Sequence, residues 1–315
     1  MARMPERWLD GSTRPPDEEA EGLRALVARL AGPGFEVERA PGGMSTPVYR
    51  LRRADETLYL RASEDPGGSM RAEAAVHEHL RAAGISVPEV VAVDDAPEIG
   101  RGVMLGREIE GEPFAGGDVT DPAPILRAAG RDLARINAVA VRGFGWIRRD
   151  EPVWPLRGED ETYAAFVGGG STSLAAVRAA LPTGDARSVL DATFARALAE
   201  RPPSRLAHGD FDATHIYQRD GVYTGVIDLG EMRGAQPHYD LAYFLVQDPG
   251  RQMLDDLLAG YADIGDAPGD LCGSATVIVA TQLCRWILRD GIESLDRPSG
   301  RWWLARLAAL LQDAT

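Results

Sequence analysis

The chain has 315 residues, 34 basic against 48 acidic side chains and a formal net charge of −14, so the basic footprint that a phosphate backbone requires is missing and nucleic acid is excluded as a partner. An apolar fraction of 44% with charge spread along the chain excludes a disordered protein, and the length predicts two unequal lobes. Every basic side chain is arginine, because the sequence contains no lysine; any cation the chemistry needs must come from arginine.

The opening "MARMPERWLDGSTRPPDEEAEG" lacks the apolar core of a signal peptide. From residue 35 the chain alternates short β-rich runs with glycine and proline: "FEVERA" (35–40), "PVYRLRR" (47–53), "TLYLRA" (57–62), "EVVAVD" (89–94) and "GVMLGREI" (102–109) read as strands. One amphipathic helix is expected among them over 69–83, with Met70, Ala74, Val76, Leu80 and Ala83 on its apolar face and Gly84 ending it. His77 and His79 on this helix point about 200° apart and are read as having no functional role.

Beyond "IEGEP" helices are expected near 121–140, 159–182, 186–200, 239–247, 251–262, 270–290 and 298–313. One β-hairpin interrupts them, where "HIYQ" and "VYTGVID" flank an Asp-Gly turn. The longest uncharged stretch, 271–284, is too short and too mixed to span a bilayer, so a cytoplasmic protein without membrane partners is expected. Cys272 and Cys284, the two cysteines, lie about 18 Å apart along one predicted helix and cannot pair there.

The hairpin joins the ends of "RLAHGDFDATHIYQRDGVYTGVIDLGE" (205–231), so Asp210 and Asp228 are expected to be neighbours. Two carboxylates so placed suggest a divalent-metal site or an acid/base pair; oxygen ligands favour Mg²⁺, which leaves room for substrate phosphates. Upstream, "APGGMSTPVYR" offers Gly42 and Gly43 for a tight turn of anion-facing N–H groups, with Ser45 and Thr46 adding hydroxyls. A plain hairpin turn would read the same way.

These pieces, with "LYLRAS", Glu73, "MLGREIEGEP", "HGDFDATHIY" and "VIDLGE" in that order over about 35–245, resemble the aminoglycoside phosphotransferase family and its choline-kinase-like and macrolide phosphotransferase relatives. The resemblance implies an α+β, two-lobed protein-kinase-like fold: residues 1–108 as a nucleotide-binding lobe of antiparallel sheet plus one helix, and 109–315 as a mostly helical catalytic lobe with a catalytic β-hairpin. It implies an ATP- or GTP-dependent kinase using Mg²⁺ on a hydroxyl of a small, cationic substrate, an aminoglycoside or cationic peptide antibiotic ahead of a macrolide. A choline- or fructosamine-type metabolite kinase and a nucleotide-binding pseudokinase remain the alternatives, and the protein would be a monomer or a dimer.

By the same resemblance Asp210 is the catalytic carboxylate, Asp228 the metal anchor and Glu73 the partner of the strand-three cation. The backbone of Arg107 to Ile109 meets the base, and Asp240 braces the catalytic segment. Two positions depart from the family: Arg61 replaces lysine, keeping a permanent charge and a bidentate fork, and His215 replaces the asparagine that is the second metal ligand, where imidazole is expected either to ligate the metal itself, to bind it through water, or to leave Asp228 as the main anchor; macrolide phosphotransferases resemble this chain there. Asn137 takes a family histidine position and is read as structural. Two acidic tracts, one with Glu159, Asp160 and Glu161 and one running from Asp255 to Asp270, are candidate rims for a cationic substrate.

Overall fold

The computed structural model describes residues 17–40, 46–116, 119–149, 153–169, 171–182, 184–247 and 250–313. Its N-terminal part is a five-stranded antiparallel sheet, ordered β1 (Glu36–Arg39), β2 (Val48–Arg53), β3 (Glu56–Ala62), β5 (Val103–Arg107), β4 (Val90–Asp94). All five are the strands expected from the sequence, four of them shortened at their ends and β3 begun one residue earlier, at Glu56. Period-two alternation divides β3 between two environments: Leu58, Leu60 and Ala62 are buried, whereas Tyr59 and Arg61 point the other way into a cleft.

The buried face meets a helix that the sequence reading did not include, α1 (Asp17–Ala31), whose Leu23, Leu26 and Val27 pack with Leu51, Leu58, Leu60 and Leu105. The N-terminal part therefore carries two helices rather than the single one expected. Heptad-like spacing of the four apolar side chains Leu23, Leu26, Val27 and Leu30 is the signal for it. The helix that was expected, α2 (Arg71–Ala82), turns Ala72, Val76 and Leu80 toward Ile136, Leu206, Leu229 and Met232 of the C-terminal part, while its Ala74 packs with Met104 of the sheet.

The C-terminal part corrects two further expectations. It holds a second sheet, β8-β7-β12-β9, beside the hairpin: β7 (Phe144–Ile147), β8 (Gly158–Asp160), β9 (Arg205–Ala207) and β12 (Arg233–Ala235) are three or four residues each, too short for an alternating pattern to register. The helix expected over 159–182 begins instead as strand β8 and continues as two short helices, α4 (Tyr163–Gly168) and α5 (Leu174–Ala180), because Gly168 and Gly169 weaken the helical run. The hairpin itself, β10 (Ile216–Arg219) and β11 (Val222–Val226), forms as expected: Asp220 and Gly221 both take positive φ, 53° and 78°, the backbone of the favoured two-residue turn. A two-residue strand, β6 (Glu112–Pro113), lies in what was read as a connector and adds to it at Gln218 and Tyr217.

The remaining helices are α3 (Ala123–Ile136), α6 (Gly184–Ala199), α7 (Tyr239–Val246), α8 (Arg251–Ala262), α9 (Leu271–Asp290) and α10 (Pro298–Asp313). Helices α3 and α8 cross with backbones touching, since a Cβ on Gly260 would lie 2.0 Å from the Arg127 carbonyl oxygen and one on Gly130 2.2 Å from that of Leu257. Helix α9 runs beyond the uncharged stretch to 20 residues and has a mean hydropathy of 1.4 over its most apolar window. Length and composition alone would suit a bilayer, yet Ala275, Val279, Ala280 and Leu283 are wholly enclosed by α7 and α10 residues such as Val246, Leu307 and Leu310. Both cysteines lie on it unpaired.

Candidate active site

Strand β9 delivers the chain into the turn that carries His208 and Asp210. This turn is held from behind by Asp240 at the start of α7: Asp240 Oδ2 accepts the His208 N–H and Oδ1 the Gly209 N–H, both at 2.9 Å. Asn137 Nδ2 donates to Asp240 Oδ2 at 2.8 Å and to the Leu206 carbonyl at 3.0 Å. A fully buried carboxylate would be costly without such partners; here it has three donors and fixes the backbone on which Asp210 sits. His208, equally buried, donates through Nε2 to the Ile227 carbonyl at 2.8 Å and so ties the turn to the far end of the hairpin.

His215 links the two residues whose carboxylates were expected to be neighbours, contacting the backbone carbonyl of Asp210 and the carboxylate of Asp228. Its Nδ1–H donates to the Asp210 carbonyl at 2.7 Å, which in the neutral ring leaves Nε2 with a lone pair 3.8 Å from Asp228 Oδ2, and in the protonated ring sets a second N–H there. The other Asp228 oxygen, Oδ1, accepts from Arg61 Nη2 at 2.9 Å and from the Gly230 N–H at 3.3 Å. Asp228 holds a left-handed backbone with φ 66°, a conformation unusual for a residue with a Cβ and one that concentrates at functional sites. Gly230 admits the contact, because a Cβ there would fall 2.8 Å from Arg61 Nη2.

Arg61 spans two acids. Its Nε lies 2.9 Å from Glu73 Oε1, while Nη2 reaches Asp228. Glu73 is 1% exposed and carries a second cation: Arg149 Nη1 donates to its Oε2 at 3.4 Å, and Arg149 Nη2 to the Gly230 carbonyl at 3.0 Å. Arg149 was missed by sequence reasoning; 76 residues from its partner, it left no local signal.

These charges set one another's titration. Burial opposes ionisation of Asp228, but Arg61 and His215 outweigh it and hold the carboxyl well below the usual range. Burial likewise opposes protonation of His215, but Asp212, Asp210 and Asp228 raise its pKa. His208 moves the opposite way, pushed down by burial and by His215, whose ring centroid is 5.6 Å away.

A cleft of about 420 Å³ opens onto this group. Arg61, His215 and Asp228 line it together with Tyr59, Met104, Ile227, Arg107 and Ile109. The Arg107 N–H is committed to the Glu89 carbonyl at 2.9 Å, so an N–H offered to a base must come from the backbone after it. Tyr59 and Tyr217 were not singled out from the sequence, although Tyr59 sits two residues before Arg61 on the same strand face, a signal that was there to use. His77 is buried, its Nδ1 3.1 Å from the Pro88 carbonyl, and its ring forms part of the cleft wall, while His79 is exposed and rests on Trp154. Thr46 brings its Oγ1 to 3.9 Å from the position a Gly230 Cβ would take. The other proposed phosphate-loop residues, Gly42, Gly43 and Ser45, lie outside the described residues.

The donor set fits a hard divalent cation of the Mg²⁺ kind only in part. Among the described residues no group of three or more ligating side chains is present, and Asp228 Oδ2 with His215 Nε2 supplies two donors. Mg²⁺ ordinarily takes one or two carboxylates and completes its shell with phosphate oxygens and water, which this arrangement allows; one imidazole is tolerable, though softer than the cation prefers.

A cluster of aromatic and arginine side chains is built from β7, β12 and α9. Tyr243 donates its O–H to Asp210 Oδ1 at 2.5 Å. Glu231 Oε2 accepts from Trp146 Nε1 at 2.9 Å and Arg233 Nη2 at 2.8 Å, and Arg285 lies over both Trp146 and Phe166. Of the two acidic tracts, the second is largely engaged by its own surroundings: Asp256 pairs with Arg127, Asp263 with Arg131, and Asp270 with Arg196 while also capping α9. The first places Asp160 in β8, its Oδ2 3.2 Å from where a Gly145 Cβ would lie, beside Phe166 in this cluster.

Comparison with known proteins bears on the fold and the family. The computed structure superposes on a thermostable variant of aminoglycoside phosphotransferase APH(4)-Ia in ternary complex with AMP-PNP and hygromycin B, with a TM-score of 0.67 at 16% identity over 93% of this chain and 99% of that one. It also matches macrolide 2'-phosphotransferase MphH from Brachybacterium faecium, with a TM-score of 0.56 at 20% identity over 93% and 98% of the two chains. The GDP and kanamycin complex of APH(2")-IIIa gives 0.61 at 16% identity over 92% and 96%. At such identities the likeness establishes the fold, the kinase-like α+β architecture expected. No curated protein matches the sequence. The sequence does match the model of the phosphotransferase enzyme family over residues 36–271, a span that runs from β1 to the first residue of α9 and includes every cleft residue described above. The chain therefore belongs to that phosphotransferase family, whose members are small-molecule kinases.

Proposed function

We propose that this kinase transfers the γ-phosphoryl group of ATP to a hydroxyl of an antibiotic, a cationic aminoglycoside or peptide ahead of a macrolide, and so confers resistance in the cytoplasm. The observation that carries the reading is the chain of contacts from Glu73 through Arg61, Asp228 and His215 to Asp210, of which Arg61, Asp228 and His215 line a nucleotide-sized cleft, the parts a phosphoryl transfer needs. The hinge at Arg107 to Ile109 would divide a nucleotide-binding lobe from the catalytic one. Neighbours of the same fold bind AMP-PNP or GDP together with hygromycin B or kanamycin, and the net charge of −14 favours a cationic acceptor.

Arg61 and the 42–46 loop would hold the phosphates, and Tyr59 would stack on the base. Asp228 and His215 would hold the divalent cation, which when bound neutralises charge on the phosphate oxygens. Asp210 would accept a hydrogen bond from the acceptor hydroxyl through Oδ2, aim its oxygen in line with the γ-phosphorus and take the proton as the new O–P bond forms and the bond to the departing ADP oxygen breaks. Phosphoryl transfer asks the strand-three cation for charge and position, and Arg61 makes both acidic contacts that this requires, which weighs against a pseudokinase.

The test is incubation of the protein with ATP or GTP, Mg²⁺ and a panel of aminoglycosides, cyclic peptides, macrolides and choline, with mass spectrometry of the products. One added phosphoryl group on an antibiotic is the expected result. Phosphorylation of choline alone would move the assignment to a metabolite kinase, and nucleotide binding without any product would support the pseudokinase.

A further inference from the structure

We propose that Tyr243 is a positioning residue for phosphoryl transfer, holding the Asp210 carboxylate in the one orientation that leaves Oδ2 for the acceptor hydroxyl; the inference rests on the reading of Asp210 given above. The backbone of Asp210 is fixed without any help from Tyr243: the His208 and Gly209 N–H groups bind Asp240, the Asp210 N–H points to His208 Nδ1 at 3.4 Å, and its carbonyl accepts from His215. None of these bonds restrains the side chain. Among the described residues the only side-chain hydrogen bond to the Asp210 carboxylate is the 2.5 Å contact from Tyr243 O–H.

That contact is short for O–H···O, in the range of charge-assisted bonds. Its donor is itself immobile: the Tyr243 ring stacks on Tyr239 with centroids 6.4 Å apart and packs at the same distance against Trp303, while Tyr239 is tied through its hydroxyl to Arg233. Burial, and then Asp210 itself, raise the Tyr243 pKa well above that of a free phenol, so the group remains a donor throughout the working pH range. A carboxylate with a free χ2 would spread over rotamers, and a small misorientation of a catalytic group is enough to cost one or two orders of magnitude in rate. The bond occupies Oδ1 and so selects Oδ2 for the acceptor.

The expected effect of Tyr243→Phe is a fall of about 10–100-fold in kcat, the usual consequence of removing one hydrogen bond to a charged group, with the KM for ATP unchanged, since Tyr243 does not line the nucleotide cleft. On an Asp210→Asn background the same substitution is expected to add nothing, whereas a merely structural role would lower the residual rate further. A crystal structure of Tyr243→Phe reads the positioning directly and needs no acceptor: more than one Asp210 rotamer is expected where the parent has one. A single unchanged rotamer in a folded Tyr243→Phe protein would overturn the proposal, as would an unchanged kcat. Failure of the underlying reading is separate, because it would appear as wild-type transfer by Asp210→Asn whatever Tyr243 does.

Discussion

Arg61 differs from a lysine in reaching two acids at once, Glu73 through Nε and Asp228 through Nη2. A lysine would be a point charge that could satisfy either geometry but not hold both in one plane. Arg61→Lys is therefore expected to retain transfer within about 10-fold, while Arg61→Met, which leaves the 1% exposed Glu73 with Arg149 alone, should lower kcat/KM for ATP by at least about 100-fold; steady-state kinetics at saturating acceptor distinguish them. His215 offers a second test at this scale. Because its Nδ1 is engaged by the Asp210 carbonyl, Nε2 alone faces Asp228. An asparagine oxygen can replace that lone pair and a leucine cannot, so electron paramagnetic resonance titration should find Mn²⁺ binding kept in His215→Asn and weakened at least about 10-fold in His215→Leu.

Among the elements, the crossing of α3 and α8 depends on two glycines whose missing side chains let the backbones touch. Gly260→Val is expected to destabilise the fold by about 3 kcal/mol, the upper end for forced overpacking, as read from the urea midpoint at unchanged m. Helix α1 is fastened to the sheet by apolar packing and by Arg29, whose fork binds both oxygens of Asp94 at 2.8 and 2.9 Å and also reaches Glu98. Hydrogen bonding to Arg29 brings Asp94 down to about 2. A carboxylate depressed in the folded state stabilises above its unfolded pKa near 4 and loses that contribution as pH falls toward 2. Arg29→Gln should thus narrow the stability difference between pH 6 and pH 2.5 in thermal melts, and an identical pH profile for both proteins would contradict the assignment.

The same elements explain what could be read from the sequence. Strands β1 to β5, helix α2 and the Asp-Gly hairpin announce themselves through local periodicity and turn chemistry, and the "HGD" and "VIDLGE" segments through their order and spacing. The short strands β7, β8, β9 and β12 had no such signal, because a three-residue strand is defined by its partners rather than by its own pattern. Helix α1 did carry a pattern, hidden behind an acidic, proline-rich approach. At the site, side chains whose roles follow from neighbouring motif positions were legible, whereas Arg149 and Tyr243, which reach their partners across 76 and 33 residues, became visible only in three dimensions.

For the whole molecule, the turn carrying His208 and Asp210 is tied to the start of α7 through Asp240, to the far end of the hairpin through His208 and to the middle of α7 through Tyr243. Helix α9 is enclosed by α7 and α10, and Cys284 upon it is 1% exposed with its thiol pushed up to about 12 by burial. Iodoacetamide at pH 8 should leave Cys284 unmodified in the native protein and alkylate it on unfolding. The central claim, transfer of a phosphoryl group onto an antibiotic hydroxyl with Asp210 orienting that hydroxyl, is met most directly by mass spectrometry of an antibiotic panel incubated with ATP, Mg²⁺ and either the parent protein or Asp210→Asn. A single added phosphoryl group on an antibiotic with the parent, reduced at least about 100-fold in Asp210→Asn, is the predicted result; equal product from both proteins, or none on any antibiotic with the parent, would contradict the account.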